Sequence, residues 1–220
     1  MLSALLVTTT LAATPPLNTT LEARFAAWEA AGPTGDSTHR EQLASLVKAL
    51  KGELTRRGRL DILFVCTHNS RRSHMAQLLG AAAAARFGIP AKTFSGGTEA
   101  TAFNPRAVAA LKRVGFDITG SGTDNPRYEV RYGENLPTST AFSKKLDAPE
   151  NPKADFVAVM TCTQADKACP IVKGATKRVS VPYEDPKVAD GTPDETARYD
   201  ERAEQIGRDL AWVMAELAKT

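Results

Sequence analysis

The spacing of apolar residues changes near residue 60. Before that point they recur at helical intervals; beyond it, short apolar runs alternate with helical segments. "TTLEARFAAWEAAG" sets Leu21, Phe25 and Trp28 on one face and stops at Gly32–Pro33, predicting a helix. "DSTHREQLASLVKALKGELTRRG" predicts a second, capped by Asp36 or Ser37, with Leu43, Leu46, Val47 and Leu50 as its apolar stripe. Together they make a helical extension over residues 17–58, ahead of a main domain over 59–220.

In the main domain "LDILFVC" reads as a strand, "RSHMAQLLGAAAAARFG" as an alanine-rich helix, and "AKTFSGG" as a strand ending in a Gly-Gly turn. "NPRAVAALKRVGF" follows as a helix with Pro105 in its first turn and Gly115 near its end. "ADFVAVMTC" and "TKRVSVP" are two further strands, and a long helix closes the chain. Strands alternating with helices imply right-handed crossovers, hence an α/β three-layer sandwich: a four-stranded parallel sheet flanked by helices. Gly120–Lys153, rich in Pro, Asn, Ser and charge, reads as a long surface loop.

Composition narrows the function. Of 220 residues 42% are hydrophobic, which suits one core plus an appendage. With a charge of +3 and 6% aromatics there is no aromatic-interleaved basic stripe, so nucleic acid is not an expected partner, and "TRRGR" reads as a solvated helix end. Three cysteines, Cys66, Cys162 and Cys169, are too few for a stapled secreted scaffold and suggest a reducing compartment or redox chemistry. Their spacing and the three histidines supply no zinc set, so no metal and no cofactor are implied. No apolar run is long enough for a membrane span; "MLSALLVTTTLAATPPL", within a leader of residues 1–16, has the length of a signal-peptide core but no basic residue before it. The expected address is cytoplasmic, or periplasmic or secreted if residues 1–13 act as a signal; a misassigned start or a disordered tail is the other reading of that leader.

The chemistry centres on Cys66, which ends a strand and is followed by Thr67, His68, Asn69, Ser70, Arg71, Arg72 and Ser73 before a helix. Such a loop curls so that backbone N–H groups and the helix dipole bind a tetrahedral oxyanion. Arg72 adds a forked donor, Ser73 a hydroxyl for the sulfur, and the same field favours Cys66 as a nucleophile. His68 either tunes that sulfur or faces solvent. The "YEDP" motif holds Asp185 rigidly on a loop, although Asp-Pro is also an ordinary turn signal.

With "FVCTHNSRRS", "SGGTEATAFNPRAVAALKRVGFDITG" and "YEDP", the chain from about Leu60 onward resembles the low-molecular-weight protein tyrosine phosphatase superfamily, and within it the thioredoxin-coupled arsenate reductases. The resemblance implies that Cys66 attacks the phosphorus or arsenic centre and that Asp185 is the general acid. It gives Asn69 and Glu99 supporting roles. "CTQADKAC" matches the cysteine pair of the reductases, which implies a relay: Cys162 attacks Cys66, Cys169 attacks Cys162, and a thioredoxin-like protein reduces the resulting bridge. Arg71 stands where the phosphatases often have a second cysteine, and Lys187 and Val188 where they carry tyrosines after Asp-Pro.

Three readings remain at this level. One is a thiol-dependent arsenate reductase using all three cysteines. The second is a phosphatase using Cys66, Arg72 and Asp185 on phosphotyrosine or a small phosphate ester. The third is an oxyanion-binding or redox-regulatory protein whose extension helices hold a partner.

Overall fold

The computed structural model describes residues 17–169 and 171–219. The leader of residues 1–16 lies outside the described residues. Helix α1 (Thr19–Ala31) is capped by Asn18, whose side chain accepts from Leu21 N, and stops at Gly32. Helix α2 (Ser37–Arg57) takes Asp36 as its cap, with the carboxylate accepting from His39 N, and ends at Gly58 in the left-handed region.

Strands β1 (Leu60–Cys66), β2 (Ala91–Gly97), β6 (Phe156–Met160) and β7 (Ala175–Ser180) form a parallel sheet in the order β2-β1-β6-β7. Helices α3 (Arg72–Arg86) and α4 (Pro105–Val114) follow β1 and β2, α5 (Thr163–Ala168) follows β6, and α6 (Glu195–Ala218) closes the chain. Alternation divides the sheet's side chains between two clusters. Ile62, Phe64, Val157 and Val159 face the larger one, together with residues of α1, α2, α3, α4 and α6. Leu63, Val65, Ala158 and Met160 face the smaller one, where Ala165 of α5 and Val172 cover them. The flanking is therefore unequal, and the thinly covered face carries all three cysteines.

The extension helices belong to the larger core: Leu21, Phe25 and Trp28 of α1 and Leu43, Leu46 and Leu50 of α2 are buried in it. Trp28 lies against Gly207 of α6 so closely that a Cβ there would overlap its ring. No helix among the described residues is long and apolar enough to cross a membrane.

One expectation is corrected. Gly120–Lys153 is not an extended surface loop throughout; part of it, with the start of β3 just ahead, builds an antiparallel meander of β3 (Asp117–Ser121), β4 (Arg127–Arg131) and β5 (Ser139–Ala141). Each strand sends only one residue fully inward: Ile118, Val130 and Ala141. With so little apolar alternation, the Pro, Asn and Gly of its turns dominate the pattern.

Candidate active site

The parallel register brings the cysteines together. Val65 pairs with Met160, and Thr161 donates its N–H and its hydroxyl to the Val65 carbonyl at 2.7 and 2.8 Å. Cys66 and Cys162 thus leave the C-terminal edges of adjacent strands, the rim where parallel sheets carry their sites. Cys162 is fully buried; Thr67 Oγ1 lies 3.6 Å from its sulfur, which also accepts from Ala165 N at 3.3 Å as the N-cap of α5. Cys169 is the half-buried C-cap of the same helix, and none of the three cysteines is in a disulfide.

The loop after Cys66 is tightly held. Asn69 adopts φ 44°, a left-handed conformation asparagine tolerates, which turns the chain sharply. Its Nδ2 donates to Ser73 Oγ at 2.9 Å, and its Oδ1 accepts from Lys144 N at 2.8 Å. Ser73 Oγ lies 3.1 Å from Cys66 Sγ; because that hydroxyl already accepts from Asn69, its own proton is free for the sulfur. The Thr67 carbonyl accepts from Glu99 N and Thr98 Oγ1, and the His68 carbonyl from Ser143 Oγ and Thr101 Oγ1. The buried Ser70 accepts from Asn104 N through its carbonyl. Gly97 at the end of β2 is required by contact: a Cβ there would lie 2.6 Å from Thr67 O and 2.7 Å from Asn69 N. His68 reaches outward, half-exposed, to Glu99 at 3.4 Å.

The two arginines divide their work. Buried Arg72 donates Nη1 to the Tyr183 carbonyl at 2.9 Å and Nη2 to Asp185 Oδ2 at 2.6 Å, while its buried Nε has no partner. Arg72 and Asp185 are therefore brought together, the carboxylate held also by Lys187 N at 3.1 Å as the cap of the Pro186–Ala189 turn. The Arg71 side chain turns toward α6 and the acid segment. Its guanidinium is committed to Tyr199 Oη at 2.8 Å and Asp190 at 3.5 Å, and Tyr199 donates in turn to Asp190 at 2.8 Å. Asp190 ends the turn that Asp185 begins, so neighbouring arginines of one loop fasten both ends of the acid segment. Burial and the Asp190 carboxylate push the Tyr199 phenol up to about 12, keeping it a donor there.

Sequence reasoning assigned no role to Tyr199, Asp190, Ser143, Lys144 or the side chain of Tyr183. Tyr183 is buried, its ring 5.5 Å from His39 of α2, and its phenol is raised well above the ordinary value by burial first and then by Asp209. Fully buried Asp209 accepts from Thr34 N, Thr34 Oγ1 and His39 Nε2 at 2.8, 2.9 and 2.7 Å. The extension thus reaches the acid segment through one carboxylate. A Tyr preceding Glu-Asp-Pro was the single visible trace of this arrangement.

A cysteine enzyme for tetrahedral oxyanions, built on a parallel α/β sheet, is the class that this geometry defines. The model of the low molecular weight phosphotyrosine protein phosphatase family matches residues 61–127. An arsenate reductase of Bacillus subtilis (strain 168) is 33% identical over 150 residues, covering 68% of this chain and 91% of its own. One from Oceanobacillus iheyensis is 33% identical over 134 residues, covering 61% and 79%. A low molecular weight protein tyrosine phosphatase structure from Bacillus subtilis superimposes with TM-score 0.49 at 21% identity, over 73% of this chain and 98% of that one. A thioredoxin-dependent arsenate reductase of Corynebacterium glutamicum gives TM-score 0.38 at 16% identity, over 85% and 80%. The chain belongs to the low molecular weight protein tyrosine phosphatase superfamily, in its arsenate reductase branch.

Proposed function

We propose that the protein reduces arsenate to arsenite, the activity its relatives' names give, through Cys66, Cys162 and Cys169. The observation that carries this reading is the buried Cys162 sulfur, 3.6 Å from the hydroxyl of the residue that follows Cys66. A purely hydrolytic site has no use for a second thiol there. In the proposed cycle arsenate lies over the loop of Thr67–Ser73, against Arg72 and the backbone amides. The Cys66 sulfur bonds to arsenic and one oxygen leaves, protonated by Asp185. The Cys162 sulfur then attacks the Cys66 sulfur; the S–As electron pair returns to arsenic, arsenite departs, and a Cys66–Cys162 disulfide remains. Cys169 next attacks the Cys162 sulfur, releasing Cys66 and leaving a Cys162–Cys169 bridge for a thioredoxin-like dithiol.

The last exchange needs motion. Six helical residues separate the two cysteines, so their Cα atoms start about 10 Å apart along the axis, beyond disulfide reach. Helix α5 must therefore unwind. A thioredoxin-fed cycle suits a reducing, cytoplasmic compartment, which a functional signal in residues 1–13 would contradict. We assign residues 17–58 a bracing role toward the acid segment, through His39, Asp209 and Tyr183, and residues 59–220 the catalysis.

A second reading, hydrolysis of a phosphate ester, is favoured by Arg72 and Asp185 standing 2.6 Å apart, which puts an anion-holding donor and a candidate acid together without either later cysteine. The test is arsenite release coupled to thioredoxin, thioredoxin reductase and NADPH. Wild type turns over continuously, and Cys169→Ser stops near one equivalent. No arsenite from wild type alongside brisk ester hydrolysis would favour the phosphatase, and unchanged turnover in Cys162→Ser would overturn the relay.

A further inference from the structure

Away from Cys66, a cavity of ≈ 330 Å³ opens between β2, α3 and the meander, a size at the lower end for small-molecule sites. Lys144 lines it, 6% exposed, with its Nζ 4.8 Å from the Phe142 ring centroid and no hydrogen bond or ion pair to any described residue. Arg127 lies over the same ring at 3.7 Å. The sole carboxylate on the cavity wall, Glu150, is 3.4 Å from Arg127. Gln77 of α3 also lines the cavity, 5% exposed, and its Oε1 is buried without a partner.

A buried lysine without a counter-ion is unfavourable, and so is a buried amide oxygen without a donor. Both residues line one cavity here, whose wall carries two cations against one carboxylate among the described residues. Burial, aided by Arg127 and opposed by Glu150, brings the Lys144 amine down to about 8. His74, buried behind it, is held neutral by burial and by the nearby Lys144, and adds no further positive charge. An anion between Lys144 and Arg127 offsets the excess positive charge, and a donor group on the same molecule would satisfy Gln77 Oε1.

We propose that this cavity is a second anion-binding site, separate from the Cys66 loop, which holds the carboxylate or phosphate head of a small organic molecule on Lys144 and Arg127 and its polar body on Gln77. The proposal stands whichever reaction the Cys66 loop performs. Its position gives it a bearing on that loop, because the Lys144 backbone N–H is the donor that holds Asn69.

The test is acylation of the full-length protein by trace acetic anhydride at pH 8, read lysine by lysine by peptide mass spectrometry. Malonate and inorganic phosphate serve as separate probes. At ten times its dissociation constant a probe slows Lys144 acylation about tenfold, while the exposed Lys92 and Lys112 keep their rates. Protection by malonate alone identifies a carboxylate site, and by phosphate alone a phosphate site. Phosphate also fills the Cys66 loop, so its protection supports the cavity only where Arg127→Met abolishes it. No protection by either probe, or protection that persists in Arg127→Met, overturns the proposal. Should that variant not fold, Gln77→Met carries the same test.

Discussion

Arg178→Met is predicted to speed the final thiol exchange rather than damage it. From β7, the Arg178 guanidinium donates to the Cys169 carbonyl at 2.9 Å, to the Asp166 carbonyl at 2.5 Å and to the Asp166 carboxylate at 2.6 Å. These bonds close the C-terminal end of α5, a six-residue helix too short to hold itself. Arg178 and Asp166 are each about one-quarter exposed, so solvent screens the pair. Its net worth is about 1 kcal/mol, counting one ion pair and its carbonyl bonds together. Removing it makes local opening about fivefold more favourable. If unwinding of α5 limits the movement of Cys169, rapid-quench mass spectrometry will show the Cys66–Cys162 bridge converting to Cys162–Cys169 about fivefold faster. Hydrogen exchange at the Asp166 and Cys169 amides, which bond to the Cys162 and Ala165 carbonyls, will rise by the same factor. A slower conversion with faster amide exchange refutes the reasoning: Arg178 would then be positioning Cys169 for attack instead of restraining it.

Three other predictions follow from the site and the core. Burial, with Lys144 nearby, depresses the His74 imidazole to about 3, against an unfolded value near 6.5. As pH falls from 6.5 toward 3 the unfolded chain takes up a proton that the folded one refuses, so stability drains across that window, by about 2 kcal/mol at pH 5. Urea midpoints at pH 7 and pH 5 should therefore converge more in His74→Leu than in wild type; parallel losses would contradict it. Asp185→Asn should lower hydrolysis of aryl phosphates with poor leaving groups by about 10²–10⁴-fold and change good leaving groups less, whereas equal losses for both would remove Asp185 as the acid. Gly97→Ala must displace the backbone at Thr67 and Asn69, and should cost about 100-fold in kcat with native circular dichroism; normal turnover would show that the loop tolerates the shift.

Much of this was legible because local signals and tertiary demands agree. Asp36 caps α2 through its own neighbour His39, and Leu60–Cys66 reads as a strand because its buried residues run almost unbroken. Cys66, Ser73 and Asn69 are within one loop, so their contacts follow from local chain geometry. The side-chain partners of Arg71 were not legible, because Tyr199 and Asp190 lie 128 and 119 positions away and nothing in "NSRRS" points to α6. The meander was missed because one inward residue per strand leaves no alternation to detect. Asp209 is likewise silent in sequence: a carboxylate within "GRDLAW" reads as a solvated helix face, yet it is fully buried under Thr34 and His39.

The relay is tested most directly by a single turnover of the pre-reduced protein with arsenate and no added reductant, followed by disulfide mapping. The account predicts one equivalent of arsenite, a Cys162–Cys169 bridge and a free Cys66 thiol. Free thiols at both Cys162 and Cys169, with no arsenite released, would contradict it.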